Sequence, residues 1–286
     1  MVADIGETAL AGETLRWIAR RCDVAHLERY LAHPEAMPLL ALPWWLEKSV
    51  RGEADTEFQT GLMTSSAHGY FFIRMLDDLM DGHEVDRACL PALHLFSFHF
   101  QSIYSRYFPA RDPFWEYFER SLASTAEAVS ADFGLRQVSS QDFLTITARK
   151  SSAALIPIAA VCSRYCRFDL LPKWEEFLTL FSRWHQMRDD IVDWSEDYEG
   201  GHSTWILTEA QAGKAPGETV PVWMGRTGLA WAYDVMAGWM REIRAAAGGL
   251  SSSELIGYLD AREATFARQM NAKIQLAALC ESLLKA

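Results

Sequence analysis

YFFIRMLDDLMDG, residues 70–82, is the stretch on which the fold turns. Its apolar residues, Phe71, Phe72, Ile73, Met75, Leu76, Leu79 and Met80, follow the rhythm of a helix and not the alternation of a strand. Asp77, Asp78 and Asp81 sit three and four positions apart, so their carboxylates project to one side of that helix. Such like-charge neighbours cost an isolated helix roughly 0.2–0.5 kcal/mol per pair. A largely buried helix does not accept three clustered negative charges without compensation. Hard divalent cations, bound by carboxylate, water and phosphate oxygens, would provide it. The competing reading is a solvated helix end or a surface acidic patch. Arg74, Tyr70, Ala67 and Met63 extend the aspartate face towards the N-terminus. They would line a cavity whose mouth the aspartates form, or serve as core packing.

A second acidic face lies downstream. In WHQMRDDIVDWSEDYEGGHSTW, residues 184–205, a helical wheel brings Gln186, Asp189, Asp190, Asp193 and Asp197 to one face, continued by Ser182 and Thr179. Phe177, Phe181, Trp184 and Arg188 fall roughly opposite, which marks that aromatic stripe as core. If the two helices meet in space, they present facing carboxylate clusters able to hold metals that bridge to a phosphorylated substrate.

The rest of the chain is also helical in pattern. Periodic segments fall near 7–32, 57–82, 88–108, 113–134, 140–167, 172–199, 203–212, 222–247 and 252–284. Gly, Pro and Ser supply the joints, as where Gly248 and Gly249 can end one helix and serines 251–253 can cap the next. No joint is long enough for a domain linker, so a single all-α domain over 1–286 is expected. The chain is 286 residues long and 50% hydrophobic, ample for a large core. Its net charge of −11 disfavours a nucleic-acid partner. An anionic substrate would therefore need metal cations and a local cluster of Lys and Arg. Five cysteines without a CxxC pair suggest a reducing compartment and no zinc site. No signal peptide and no membrane-spanning stretch is apparent, and a cytoplasmic location is expected.

The stretch from about 70 to 205 resembles the class I isoprenoid synthase superfamily. QMRDDIVDWSED looks like the second aspartate-rich motif of the trans-prenyl diphosphate synthases, with Gln186, Asp189, Asp190, Asp193 and Asp197 in matching positions. LDDLMDG looks like the first. ARKSSAAL, with Lys150, resembles the lysine motif that contacts diphosphate between them. The same segments are similar to squalene and phytoene synthases, through IRMLDDLMD with its arginine ahead of the aspartates and through DWSEDYEGGHSTW. The tyrosine- and glycine-rich segment of that subfamily is missing where ARKSSAAL stands.

The resemblance implies a helical bundle with a central active-site cavity and a Mg²⁺-dependent enzyme acting on a prenyl diphosphate. A helical homodimer is common in the superfamily. Asp77, Asp78, Asp81, Asp189, Asp190 and Asp193 would bind Mg²⁺. Lys150, Arg74, Gln186, Arg188 and His202 would contact diphosphate, with Arg188 turned away from the acidic face on the wheel. Tyr70, Phe71, Ala67 and Met63 would line the substrate pocket. Trp223, Trp231 and Trp239 are further aromatic candidates. The arginine pair that follows the first motif in chain-elongating synthases is absent, with only Arg87 in GHEVDRACL. Lys48 and Arg51 stand weakly where an isopentenyl diphosphate site would be, and His202 replaces a lysine after the second motif. These departures favour a terpene cyclase using one allylic diphosphate. A prenyltransferase remains the alternative, as does, from another class, a non-catalytic helical partner of a related synthase. The Glu-x-x-His pairs of di-iron bundles are not apparent.

Overall fold

A computed structural model describes residues 8–22, 30–31, 33–80, 82 and 85–285. Among these, helices and short turns make up the whole architecture and no strand occurs, as the sequence pattern predicts. The contacts sort the chain into two compact units. One comprises residues 1–124 and 152–172, the other residues 125–151 and 173–286.

The first unit begins with α1 (Ala9–Cys22), α2 (Leu42–Arg51), α3 (Thr56–Met80) and α4 (Ala92–Ser102). It takes in the first half of α5 (Phe114–Phe133) and all of α7 (Leu155–Arg164). Helix α2 was not expected from the sequence. Its signal is local: Pro43 sits in the first turn, where its missing N–H costs nothing, and Gly52 ends the helix at φ 83°. The Asp55 carboxylate accepts from the N–H groups of Glu57 and Phe58, both at 3.1 Å, and so caps α3. Helices α3 and α4 pack side by side. The Ser65 hydroxyl there donates to the Phe100 carbonyl at 2.7 Å. Gly69 lets the Phe100 ring approach so closely that a Cβ would lie 2.8 Å from it. Trp17, Ile18, Cys22, Phe71, Met75, Cys89, Ala92 and Phe96 form a buried core cluster around these helices.

The second unit contains the end of α5, α6 (Ser140–Lys150), nearly all of α8 (Leu171–Gly200), α9 (Trp205–Gly213) and α10 (Val220–Trp223). α11 (Leu229–Gly248) and α12 (Ser253–Lys285), packed together, complete it. A capping box opens α6: the Asp142 N–H donates to the Ser139 hydroxyl at 3.1 Å, and the Ser139 N–H donates back to Asp142 at the same distance. A π turn, Met224–Gly228, joins α10 to α11, with the Leu229 N–H donating to the Met224 carbonyl. The expected stop at Gly248 holds, and the Ser252 hydroxyl caps α12 by accepting from the Leu255 N–H at 3.2 Å. The left-handed turn residue between them is Ser251, at φ 55°, and not a glycine.

Two expected helices are broken: 88–108 keeps only α4 between the 3₁₀ turns Arg87–Cys89 and Tyr104–Arg106. The segment 140–167 divides at a 3₁₀ turn, Ser151–Ala154, between α6 and α7. Pro157 follows closely and cannot donate to the Ala153 carbonyl, and the Ser151 hydroxyl donates back to the carbonyls of Thr147 and Ala148. Both effects draw backbone acceptors away from α-helical pairing. No described helix is long and apolar enough to cross a membrane.

Candidate functional site

Each acidic segment stands on one long helix. On α3, Arg74 lies one turn before the aspartates. Its guanidinium is 3.3 Å from Asp78 and 3.7 Å from Asp77. Asp78 is fully buried, whereas the Asp77 side chain is partly open. Burial works against the Arg74 charge, and the neighbouring Asp78, Tyr70 and Asp77 outweigh it, so its pKa is raised further. The arginine and two aspartates therefore share a face, as the helical wheel requires. Asp81 lies outside the described residues. Tyr70 shares a 2.6 Å hydroxyl–hydroxyl hydrogen bond with Tyr30, and burial raises its pKa. Phe71 is fully buried, packed edge-on to Trp17 and Tyr70. Met63 and Ala67 are half-buried.

On α8, Phe177, Phe181 and Trp184 are buried and stack in sequence, which agrees with their reading as core. The opposite face carries the carboxylates. Asp190 is buried and accepts from the Gln186 amide at 2.8 Å. Burial pushes its pKa up to about 7. The Gln186 hydrogen bond opposes this, and the charges of Asp197, Asp189 and Asp132 add to it. Asp189 accepts from Arg188 at 3.0 Å. Arg188 starts from the far side of the wheel, but its long side chain reaches round to its neighbour. Asp193 is more open; partial burial, then Asp189 and Glu196, raise its pKa. Asp197 is raised by burial and lowered by His202.

The end of α8 explains how His202 comes near. Gly201 adopts φ 71°, and a Cβ at Gly200 would stand 2.7 Å from the His202 ring. Glycine at these two places makes room for the imidazole to fold back over the helix end.

Lys150, the last residue of α6, forms an ion pair with Asp132 near the end of α5. Asp132 belongs to no motif and the sequence reading passed over it. Two further partners were also missed. Arg262, buried on α12, lies over the Trp184 ring at 5.4 Å and donates to His185 Nδ1 at 3.1 Å. Burial holds the His185 pKa down, and the other ring nitrogen lies 3.8 Å from Asp189. A neutral imidazole accepting at Nδ1 carries its proton at Nε2, on the Asp189 side. Hydrophobic periodicity places Arg262 on a helix but cannot assign it a partner far upstream.

The chemistry available is thus clustered acid with flanking cations and amides. Among the described residues, no three His, Cys, Asp or Glu side chains gather at metal-ligating distance. Mg²⁺ fits such a donor set, because it is usually held by one or two carboxylates while water and phosphate oxygens complete its shell. Asp189 and Asp190, and Asp77 and Asp78, are the carboxylates that could contribute to such a set. Comparison with protein-family models and with curated proteins yields no match to this chain.

Proposed function

We propose that this chain is a class I terpene synthase, a cyclase that ionises one allylic prenyl diphosphate and releases inorganic diphosphate. The observation that carries the reading is the placement of Asp190: a carboxylate buried on the acidic face of α8, next to Asp189 and one turn from Asp193. Such crowding is unfavourable in an empty protein and natural at a cation site. The acidic pair beside Arg74 is the set that the resemblance assigns to the first metal-binding motif. The reading requires both acidic segments to serve one diphosphate.

Asp77, Asp78, Asp189, Asp190 and Asp193 would hold Mg²⁺, which when bound neutralises the diphosphate and stabilises it as a leaving group. Lys150, Arg74 and Arg188 would donate charge-assisted hydrogen bonds to the diphosphate oxygens, and Gln186 and His202 further hydrogen bonds. The allylic carbon–oxygen bond then breaks heterolytically, and its electron pair leaves with diphosphate. The carbocation cyclises and ends by losing a proton, with released diphosphate as a candidate base, or by capturing water. Aromatic faces such as Tyr70 stabilise cations of this kind. Free thiols at all five cysteines suit a reducing cytoplasm.

Cyclisation is favoured over prenyl transfer by the state of Arg51. Its guanidinium lies 3.5 Å from buried Glu47 and 3.3 Å from the Tyr165 hydroxyl, and covers the Tyr165 ring. An arginine so engaged is a poor receptor for a second diphosphate. The test is incubation with Mg²⁺ and geranyl, farnesyl or geranylgeranyl diphosphate, with and without isopentenyl diphosphate. A hydrocarbon or alcohol from one substrate supports the cyclase. Product only with a co-substrate supports the transferase, and no turnover in any combination supports the non-catalytic partner. Asp77→Asn and Asp190→Asn should each cut turnover by at least about a hundredfold, a loss on the scale of other electrostatic catalytic groups, with the fold retained by circular dichroism. Unchanged turnover in both would sink the proposal.

A further inference from the structure

We propose that Asp132 is a positioning residue, the resting counter-ion that holds Lys150 beside the second acidic segment until a diphosphate displaces it. This rests on the reading of Lys150 given above. A lysine at a helix C-terminus ordinarily points into water or back to the last carbonyls, where the helix dipole favours it. Lys150 instead reaches across to Asp132, eighteen positions earlier in the sequence and near the end of another helix. The pair is partly open, with 29% of the lysine and 38% of the aspartate side chain exposed. A pair so placed holds weakly and exchanges easily. The stretch that follows Asp132 also meets the end of the acidic helix, where the Ser203 hydroxyl, next to His202, donates to the Arg136 carbonyl at 2.8 Å.

A diphosphate offers the ammonium more charge and more acceptor oxygens than one carboxylate does. Binding would therefore exchange one partner of Lys150 for another. Asp132, left behind, would repel the bound anion. Its role is that of a competitor: it keeps the lysine aimed and limits how tightly the released diphosphate is retained.

The test is calorimetric titration of the full chain with inorganic diphosphate at fixed Mg²⁺. Lys150→Ala should weaken binding about tenfold or more, the scale of a hydrogen bond between charged groups, and Asp132→Asn should tighten it about twofold to fivefold, the scale of a partly exposed charge pair. Asp132→Glu should keep wild-type affinity, and Asp132→Asn should tighten binding less in a Lys150→Ala background, where only the repulsion of the bound anion is removed. A carboxylate that only repelled the anion, without competing for Lys150, would give the same tightening in both backgrounds. Binding that falls with Lys150→Ala but is unchanged by Asp132→Asn overturns the role of Asp132 alone. Equal binding by wild type and Lys150→Ala, or none by either, overturns the reading of Lys150 and this inference with it. Loss of Mg²⁺ binding in Asp132→Asn makes Asp132 a metal ligand and overturns the counter-ion role.

Discussion

Replacing Asp190 by Asn should make the protein more stable while disabling it. In the folded chain the Asp190 pKa moves from 3.8 to about 7, chiefly because burial disfavours the charged form. At about 1.36 kcal/mol per pH unit, that shift corresponds to about 4 kcal/mol. The sign follows from proton linkage. Below about pH 4 the carboxyl is protonated in both folded and unfolded chains, and no penalty exists. Between about pH 4 and pH 7 the unfolded chain loses its proton while the folded one keeps it, so stability falls as pH rises. Above pH 7 the full penalty applies. Asparagine has nearly the same shape, can still accept from Gln186 and never ionises. Its advantage over wild type should grow from near zero at pH 4 to about 4 kcal/mol at pH 8. The measurement is urea denaturation of both proteins across this range in metal-free buffer, with equal m-values required. Addition of Mg²⁺ and diphosphate should close the gap at pH 8 by stabilising the wild type alone. An Asn variant no more stable than wild type at pH 8, or equally offset at every pH, would refute the assignment of an uncompensated buried carboxylate.

Other substitutions probe the surroundings. Gly69→Ala pushes a methyl to within 2.8 Å of the Phe100 ring and should cost about 1–3 kcal/mol in denaturant titration; a neutral result would mean that the ring slides freely. Phe71→Ala empties a fully buried position between Trp17 and Tyr70 and should cost about 3–5 kcal/mol by the same measurement. Glu47→Ala should be severe, about 3 kcal/mol or more, because it removes the acceptor of the Gln59 amide at 2.6 Å, of the Asp55 N–H and of the Tyr165 hydroxyl. Arg262→Lys loses the planar fork that spans Trp184 and His185, and should destabilise by about 1–3 kcal/mol.

The helical character of the chain could be read from periodicity because nearly every helix buries one apolar stripe. Periodicity gives way where local chemistry competes with that stripe. Helix α2 opens with Pro43, Trp44 and Trp45, which look like the continuation of a turn until the four-residue spacing of Leu42 and Leu46 is noticed. Pro157 and Ser151 break a helix whose apolar pattern runs on unchanged. The two acidic faces were legible because i, i+3 and i+4 spacing fixes direction along a single helix. Asp132, His185 and Arg262 enter by contacts between helices, and no spacing rule reports those. Arg188 shows a further limit: a helical wheel places Cα atoms, whereas a guanidinium on a long stem can turn the corner. The resemblance set Phe71 in the pocket lining, and the side chains that bury it, Trp17 on α1 and Phe96 on α4, come from elsewhere in the sequence.

The π turn at Met224–Gly228 makes the position of one tryptophan a matter of residue count. Trp223 lies in a slot so narrow that a Cβ at Gly213 would stand 2.9 Å from its indole nitrogen and one at Gly228 would stand 2.5 Å from its ring. Between Trp223 and Leu229 the backbone holds one residue more than an α-helix of that path would need. A deletion of one residue there would leave a smoother helix, yet it would swing Trp223 about 100° around the axis and out of its slot. Natural variation in this segment should therefore tolerate changes of side chain at Arg226 or Thr227 more readily than any change of length.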